Sequence, residues 1–206
     1  MLHLSDYFLE MLPDGPRQER SRVRLAAAVA GAEALLIEIG PEQTSIPEIE
    51  KRSGVPRAAI YRYFPDKYAL FSAMASACLG RLADWLQETD KTESDLPYPA
   101  LVEDFVLRAA QFYNREPVAS VLIFRGPFDR KDNEAHERKN ADLLKSFQAR
   151  LSRPLPSQNI AIAIEIAYAC FRHGYFHEGN ISPQMIAEAI RAASAYLGAC
   201  TDALGD

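Results

Sequence analysis

Residues 44–67, TSIPEIEKRSGVPRAAIYRYFPDK, decide how the rest of the chain is interpreted. They predict two short helices joined by a tight turn. Ser45 and Glu48 have the spacing of a capping box, in which each side chain accepts a backbone N–H at the start of a helix. Gly54 can adopt a positive φ without steric cost, so we expect the first helix to end there. Pro56 suits the opening of the second helix, because the N–H groups of a first turn lack helical partners anyway.

The second short helix has the composition of a surface that binds DNA. Ile60 and Phe64 are four residues apart and turn one side of this helix inward. Its other positions carry arginines, tyrosines and alanines. Alanine methyl groups can contact thymine methyls, and arginines can bind guanine edges or phosphates. A helix, a glycine turn and a second helix of this kind are typical of a helix-turn-helix unit.

The pattern around these two helices extends from residue 40 to residue 71. It comprises GPEQTSI at 40–46, Ile49, the Gly-Val pair at 54–55, and IYRYFPDK at 60–67 followed by Leu-Phe. In this it resembles the DNA-binding domain of the tetracycline-repressor (TetR) family, over residues 29–71. The resemblance implies that the tyrosine hydroxyls contact phosphates, and a lysine at a helix N-terminus favours a phosphate as well. The predicted DNA-binding residues are Thr44, Arg57, Ala58, Ala59, Tyr61, Arg62, Tyr63 and Lys67.

Glu50 and Ser53 depart from the pattern of that family, which usually has alanine at the first position and often at the second. A small residue there lets the two helices approach closely. Glu50 must therefore turn its carboxylate outward or loosen the packing. We expect this departure to affect how the second helix docks, and not the family resemblance.

Length and composition are those of an ordinary globular protein. The chain has 206 residues, 48% apolar and 25% charged, which suffices for one or two domains. A net charge of −5 argues against indiscriminate binding to nucleic acids. Residues 17–67 nevertheless carry nine lysines and arginines against seven acidic residues, while residues 1–16 and 68–206 are net acidic. A mildly basic region on an acidic chain supports one surface that faces phosphates.

Compartment and cofactors follow from what the sequence lacks. Cys78, Cys170 and Cys200 lie in apolar helical patterns with no C-x-x-C motif, which argues against disulfides and a zinc ribbon. Residues 1–16 are a poor signal peptide, because they lack a basic start and contain acidic residues. No apolar run has the length of a membrane span. We expect a cytoplasmic protein that needs no cofactor and contacts no membrane.

Helical periodicity predicts an all-α protein with a three-helix helix-turn-helix domain and a larger helical domain. The predicted limits are 1–16 for an N-terminal extension, 17–66 for the DNA-binding domain and 67–206 for an effector-binding and dimerisation domain. The extension could be a short apolar helix or disordered. A charged, proline-bearing loop is expected at 89–99, and an amphipathic stretch at 132–151.

Residues 159–176 have isoleucine at every second position from 160 to 166, which is a strand pattern. The residues between them are poor strand formers, however, and no second strand is available for pairing. We therefore predict a helix that is apolar on most sides and buried. With the last helix, 183–204, it would form a four-helix homodimer interface around a two-fold axis. Small residues such as Ala193 would lie in that interface, so Ala193→Glu should break it.

The TetR resemblance also implies a pocket for a small effector in the helical domain. Aromatic residues at helical spacing mark the region, although each by itself is more typical of a core. The predicted pocket residues are Phe105, Phe112, Phe124, Phe147, Phe171 and Tyr175.

His173 and His177 suggest a different kind of site. Four residues apart, they share one helix face and could hold a metal ion, with Cys170 and Glu178 nearby. A structural or catalytic site needs three or four ligands, so we expect no metal there. No P-loop, G-x-G-x-x-G, G-x-S-x-G or nucleophile–base pair occurs, and we expect no enzyme activity.

These observations predict a ligand-responsive transcriptional regulator, a repressor, that binds a palindromic operator in double-stranded DNA as a homodimer. The resemblance implies that an effector changes the separation of the DNA-binding domains through the helix that starts at Asp66, and so weakens DNA binding. Two alternatives stay open. One is an all-α metal-binding protein or enzyme that uses the His173/His177 region, and the other is a protein–protein adaptor.

Overall fold

The computed structural model describes residues 4–12, 18–88, 97–125, 144–145, 147–148, 150–151 and 154–202. Helices account for nearly all of these residues, and no β-strand occurs in these ranges. In chain order the helices are α1 (Leu4–Met11), α2 (Glu19–Gln43), α3 (Ile46–Ser53), α4 (Arg57–Tyr61), α5 (Lys67–Glu88), α6 (Tyr98–Arg115), α7 (Pro117–Phe124), α8 (Ser157–Glu178) and α9 (Pro183–Asp202). The predicted all-α class is confirmed, and so is the helix at 159–176, which is part of α8.

The described residues form two compact units. The first, which we call the head unit, contains the residues up to Arg81 together with α7. The second, the body unit, contains the residues from Leu82 to Glu116 and those from 144 onward. Helix α5 contributes residues to both. The domain limits predicted from the sequence are 1–16, 17–66 and 67–206. They divide the chain by function and not by compactness, so they stay a prediction.

In the head unit, α2 is the helix on which the others pack. It contacts α1, α3, α4 and α7, and its inward face is made of small and branched side chains that are almost completely buried. Its regular course ends at Gly40, whose φ of +76° is a conformation that glycine adopts without a steric penalty. Ile49 and Ile60, one from each short helix, have no exposed surface. Helices of eight and five residues are too short to be stable alone, so this burial holds them.

The N-terminal extension, whose order the sequence left open, forms helix α1. Phe8 is buried, and its ring centroid lies 5.9 Å from that of Phe64, the residue that anchors the end of the helix-turn-helix. Helix α5 passes α1 closely at Gly80, where an added Cβ would lie 2.8 Å from the Tyr7 hydroxyl oxygen. Helix α1 is therefore part of the core of the head unit.

The body unit is built on α6, α8 and α9, with α9 packed against both other helices. A left-handed Gly179, with φ +76°, ends α8 and starts the short connection to α9. The side-chain amide of Asn114 fixes this connection. It donates to the carbonyl oxygen of Ile181 and accepts from the Ile181 N–H, both at 2.9 Å. Five residues between 144 and 150 are also helical, whereas most of the predicted loop at 89–99 and most of the stretch 132–151 lie outside the described residues. The last two residues of that predicted loop, Tyr98 and Pro99, are helical and begin α6.

The small residues of α9 face a different way from the one predicted. Ala189 and Ala193 are 0% and 2% exposed within the single chain, and Ala193 lines an internal cavity of the body unit. The prediction that Ala193 lies in a seam between two chains is therefore wrong. A helix with one apolar stripe turns it first toward its own core. Residues 203 and 204 of the predicted interface lie outside the described residues.

Candidate nucleic-acid interface

Helix α3 begins and ends as its sequence indicates. The Ser45 hydroxyl accepts the N–H of Glu48 at 3.4 Å, and Gly54 ends the helix in the left-handed conformation with φ +69°. Ser53 bonds back to the Ile49 carbonyl oxygen at 2.6 Å and also accepts the N–H of Val55 at 3.2 Å. These contacts fix both the end of α3 and the turn into α4.

The two helices α2 and α3 approach closely at Gly31. A Cβ atom added to Gly31 would lie 3.0 Å from the Cβ atom of Ser53. The serine at this position is thus accommodated by a glycine on the facing helix. A second contact between α2 and α3 is a paired hydrogen bond from the Arg52 guanidinium to the Glu38 carboxylate, at 2.8 and 2.5 Å. Arg52 lowers the pKa of Glu38 through this bond.

Helix α4, which we call the recognition helix, presents the side chains that the sequence singled out. Ile60 faces the core, whereas Arg57 and Ala58 are exposed and Ala59 is half-buried. Tyr61, at the end of the helix, is 46% exposed. The exposed surface therefore combines one guanidinium, one methyl group and one phenol, and the methyl group of Ala58 is too small to keep the backbone away from DNA.

Arg62 and Tyr63 lie just beyond the recognition helix and contact each other. The guanidinium carbon of Arg62 stands 4.7 Å from the centroid of the Tyr63 ring. One nitrogen of this guanidinium donates to the Tyr63 hydroxyl at 2.5 Å and to the Ser21 hydroxyl of α2 at 3.4 Å. In this structure Arg62 therefore points back toward the start of α2, and Arg57 is the arginine of the first turn of α4.

Lys67 is placed at the start of α5, as predicted, but its ammonium group is engaged inside the head unit. It donates to the carbonyl oxygens of Pro41, Glu42 and Thr44 at 3.0, 2.9 and 3.0 Å. These three bonds match the three donors of an ammonium group. In this arrangement Lys67 caps the C-terminal end of α2 and does not point toward a phosphate.

Thr44 is also part of this cap. Its side chain is 0% exposed, and its hydroxyl donates to the Gly40 carbonyl oxygen at 2.7 Å. A fully buried side chain cannot reach DNA without a rearrangement, and the predicted contact between Thr44 and DNA stays a prediction. Thr44 and Lys67 together hold the junction between α2 and α3.

The predicted effector residues do not form a single site. Phe105 and Phe147 pack edge to face and line a narrow apolar cavity of the body unit. The centre of a water-sized sphere can occupy about 10 Å³ of this cavity, so it has room for about one water molecule. Aliphatic residues of α6, α8 and α9 form the rest of the lining: Val102, Val106, Ile160, Ala163, Ile164, Ala167 and Ala193. These residues were missed because they have the ordinary pattern of a helical core. The cavity itself is a tertiary feature.

The remaining aromatic residues do not line this cavity. Phe112 and Phe171 are buried in a cluster around Tyr113, whose hydroxyl donates to Tyr168 at 3.0 Å. Burial raises the pKa of Tyr168 to about 12. Tyr175 stacks edge to face with the neighbouring phenylalanine of α8, and Phe124 belongs to α7 in the head unit.

His173 and His177 lie on the exposed side of α8 with ring centroids 4.2 Å apart. Across the described parts of the chain, no group of three or more histidine, cysteine, aspartate or glutamate side chains is close enough to hold a metal ion. The structure thus brings together the two predicted ligands and adds no third. No helix that the structure describes is both long enough and apolar enough to span a membrane.

Comparisons with known proteins agree with this geometry. Residues 28–74 match the family model described as bacterial regulatory proteins, tetR family. A search among curated proteins finds no match. Solved structures resemble most of the chain. A TetR-family transcriptional regulator from Streptomyces coelicolor has a TM-score of 0.70 at 22% identity, and covers 87% of this chain and 98% of its own.

Two further solved structures have the same fold. A TetR transcriptional regulator from Rhodococcus sp. RHA1 has a TM-score of 0.66 at 18% identity, with 87% and 98% of the two chains covered. The fatty acid degradation regulator FadR from Bacillus halodurans has a TM-score of 0.64 at 12% identity, with 84% and 97% covered. Residues 28–74 therefore carry a helix-turn-helix that matches the tetR-family model, on an all-α chain that has the fold of TetR-family regulators.

Proposed function

We propose that this protein is a TetR-family transcriptional regulator, a ligand-responsive repressor that binds a palindromic operator as a homodimer. One observation carries the proposal: the recognition helix exposes Arg57, Ala58 and Tyr61 on one surface while its apolar side is buried. In helix-turn-helix proteins the N-terminal residues of this helix contact base edges in the major groove. Arg57 is therefore assigned to base recognition and Tyr61 to a phosphate.

Selection from a random pool of duplex DNA tests this assignment. We expect the parent chain to enrich a sequence with two inverted half-sites. Arg57→Ala should lose a base preference at one symmetric pair of positions, at a cost of about 1–3 kcal/mol if the contact to guanine is bidentate. Tyr61→Phe should weaken binding to all sequences alike.

Two matched controls accompany these variants. Tyr68→Phe removes a phenol that is as exposed as Tyr61, 46%, but lies on α5. Arg191→Ala removes an exposed arginine of α9 that pairs with Glu188. Both controls should bind the selected duplex as the parent does. If Arg57→Ala and Tyr61→Phe also bind as the parent does, the recognition surface is elsewhere.

The homodimer is proposed to form through α8 and α9, with a contact surface that differs from the predicted one. On α8, Ile162 and Phe176 are 37% and 64% exposed, and Ala169 between them is exposed as well. Because these residues are seven positions apart, they lie along one side of the helix. An exposed apolar stripe of this kind is typical of a surface that meets a partner.

Sedimentation of two glutamate variants tests this interface. Phe176→Glu should yield a folded monomer, because the residue is exposed within the chain and a like charge would face its symmetry mate. Ala193→Glu should instead lower the stability of the body itself, since the residue is buried in its own chain. A Phe176→Glu variant that stays dimeric at micromolar concentration would place the interface elsewhere.

The effector is proposed to bind in the cavity of the body unit and to be apolar or amphipathic. The lining by Phe105, Phe147 and aliphatic side chains supports this class, although the cavity must widen greatly, since ligand pockets measure about 300–1,000 Å³. Fatty acyl compounds are suitable first candidates, because they match an apolar lining and one structural neighbour is named as a regulator of fatty acid degradation.

Thermal melting and operator binding test the effector proposal together. A true effector should raise the melting temperature and lower the affinity for DNA, as linkage requires of a ligand that prefers the non-binding state. Phe147→Ala should weaken the effect of the ligand, whereas Phe112→Ala, which removes a phenylalanine that does not line the cavity, should retain it. Equal loss in both variants would point to a general loss of structure.

A further inference from the structure

Glu50 is the residue of α3 that lies against the start of the recognition helix. Its Oε1 atom accepts the backbone N–H of Arg57 at 2.9 Å. Its Oε2 atom lies 4.0 Å from Nε of the same arginine. One carboxylate thus contacts both the backbone and the side chain of the first residue of α4.

The backbone contact supplies a cap that the recognition helix otherwise lacks. The residue before the helix is Pro56, which makes no side-chain capping bond. The first N–H groups of a helix have no helical acceptor, and a side-chain oxygen there stabilises the helix start. Here the acceptor comes from the preceding helix, so Glu50 also fixes how α4 is positioned relative to α3.

The side-chain contact limits where Arg57 can point. The Arg57 side chain is 63% exposed, and without a neighbour a guanidinium of that exposure would sample many rotamers. A carboxylate near Nε favours those orientations that leave the two terminal nitrogens available for a bidentate contact with a guanine. The negative charge of Glu50, which is 38% exposed, also disfavours a nearby phosphate as the partner of Arg57.

We propose that Glu50 is a specificity-determining residue, which caps the recognition helix and directs Arg57 to a base edge instead of a phosphate. This inference rests on the proposed role of α4 in DNA binding. It explains why a large acidic residue is compatible with α3 at this position: the carboxylate contacts the first residue of α4.

Three variants separate the two contacts of the carboxylate. Glu50→Gln keeps an oxygen that can accept the N–H of Arg57 but removes the charge that holds the guanidinium. Glu50→Ala removes both contacts. Glu38→Gln is the matched control, because it neutralises another exposed carboxylate of the head unit that pairs with Arg52 and not with the recognition helix.

The measurement is the binding of each full-length variant to the operator selected by the parent and to duplexes changed at the base pair whose preference Arg57→Ala abolishes. We expect Glu50→Gln to melt within about 2 °C of the parent but to reduce the preference for guanine at least about threefold. Its binding to unrelated duplexes should rise. In the Arg57→Ala background, Glu50→Gln should have no further effect on that preference, because the two residues act as a unit.

Each result has a defined meaning. If Glu50→Gln retains the full preference for guanine while Glu50→Ala melts lower, Glu50 is only a helix cap and the proposal fails. If Arg57→Ala changes no base preference although the parent selects a sequence, the proposal fails while the proposed function stands. If the parent itself selects no sequence, both fail. A loss of preference in Glu38→Gln equal to that in Glu50→Gln would also overturn the specific role.

Discussion

The head unit and the body unit are stabilised in different ways. In the head unit, short helices are held by the burial of Ile49 and Ile60 and also by side chains that bond to backbone groups of neighbouring segments, as Lys67 and Glu50 do. In the body unit, long helices pack through buried apolar side chains, and α8 and α9 lie close enough that a Cβ at Gly174 would be 2.8 Å from the Met185 side chain. A surface that must be exposed to DNA has little apolar area to bury, so polar caps have to supply the order there.

The largest expected loss of stability comes from a substitution that creates a new cavity in the core of the body unit. Phe171 is 1% exposed and lies among the rings of Tyr113 and Tyr168. Phe171→Ala should cost about 3–5 kcal/mol of unfolding free energy, measured by chemical denaturation. Leu107→Ala, at a residue that is 37% exposed, should cost under about 1 kcal/mol. Equal costs would mean that the aromatic cluster does not stabilise the body.

The next effect concerns Phe8, the largest fully buried side chain of α1. Phe8→Ala should destabilise the head unit by about 3 kcal/mol, the lower end for a phenylalanine, because α1 is a helix of only eight residues and can adjust its position. DNA affinity should fall with it, since Phe64 loses its neighbour. Asp6→Ala, on the exposed side of α1, is the control. A Phe8→Ala variant with unchanged melting and unchanged DNA affinity would show that α1 is dispensable.

Removal of the ammonium cap should have an intermediate effect. Lys67→Met keeps much of the side-chain volume but leaves three carbonyl oxygens without their donor, at a cost of about 1.5–3 kcal/mol. Weaker DNA binding should then accompany lower stability. Lys51→Met, at an exposed lysine of α3, should change neither property much. If Lys67→Met reduces DNA binding while the melting temperature is unchanged, the lysine acts on phosphate directly.

The smallest effect should come from the exposed pair of Glu38 and Arg52. Because the pair lowers the pKa of Glu38 below its ordinary value of 4.5, its stabilisation is present above that value and is lost as the pH falls through the lowered pKa. The difference in melting temperature between the parent and Glu38→Gln should therefore shrink from pH 7 toward pH 3. A difference that is constant over this range would show that the pair contributes nothing to stability.

Sequence patterns predicted what depends on near neighbours along the chain. The cap at Ser45, the left-handed Gly54, the buried Ile60 and the helix at 159–176 all follow from spacings within a few residues. The side chain of Thr44 and the ammonium of Lys67 were assigned to DNA by their place in a familiar pattern. Their partners in the structure are backbone oxygens at the end of α2, up to 26 residues away from Lys67, which no local pattern reveals.

The body unit was harder to predict for the same reason. The periodicity of α9 indicates an apolar stripe but not whether that stripe faces its own chain or a partner, and Ala193 proved to face its own chain. The cavity is lined mainly by valine, isoleucine and alanine, residues that also form ordinary cores. A cavity depends on how three helices fit together, and its presence cannot be deduced from one helix at a time.

Site-directed cleavage shows whether the recognition helix lies in the DNA. Ala58→Cys, at an exposed position of α4, can carry an iron chelate that cuts nearby DNA. With the operator selected by the parent, we expect cuts within both half-sites, symmetric about the centre of the palindrome. The labelled parent, and Gln87→Cys at an exposed position of α5 in the body unit, control for the natural cysteines and for random contact. If Ala58→Cys cuts the duplex no more than these two controls, α4 does not lie in the DNA and does not act as a recognition helix.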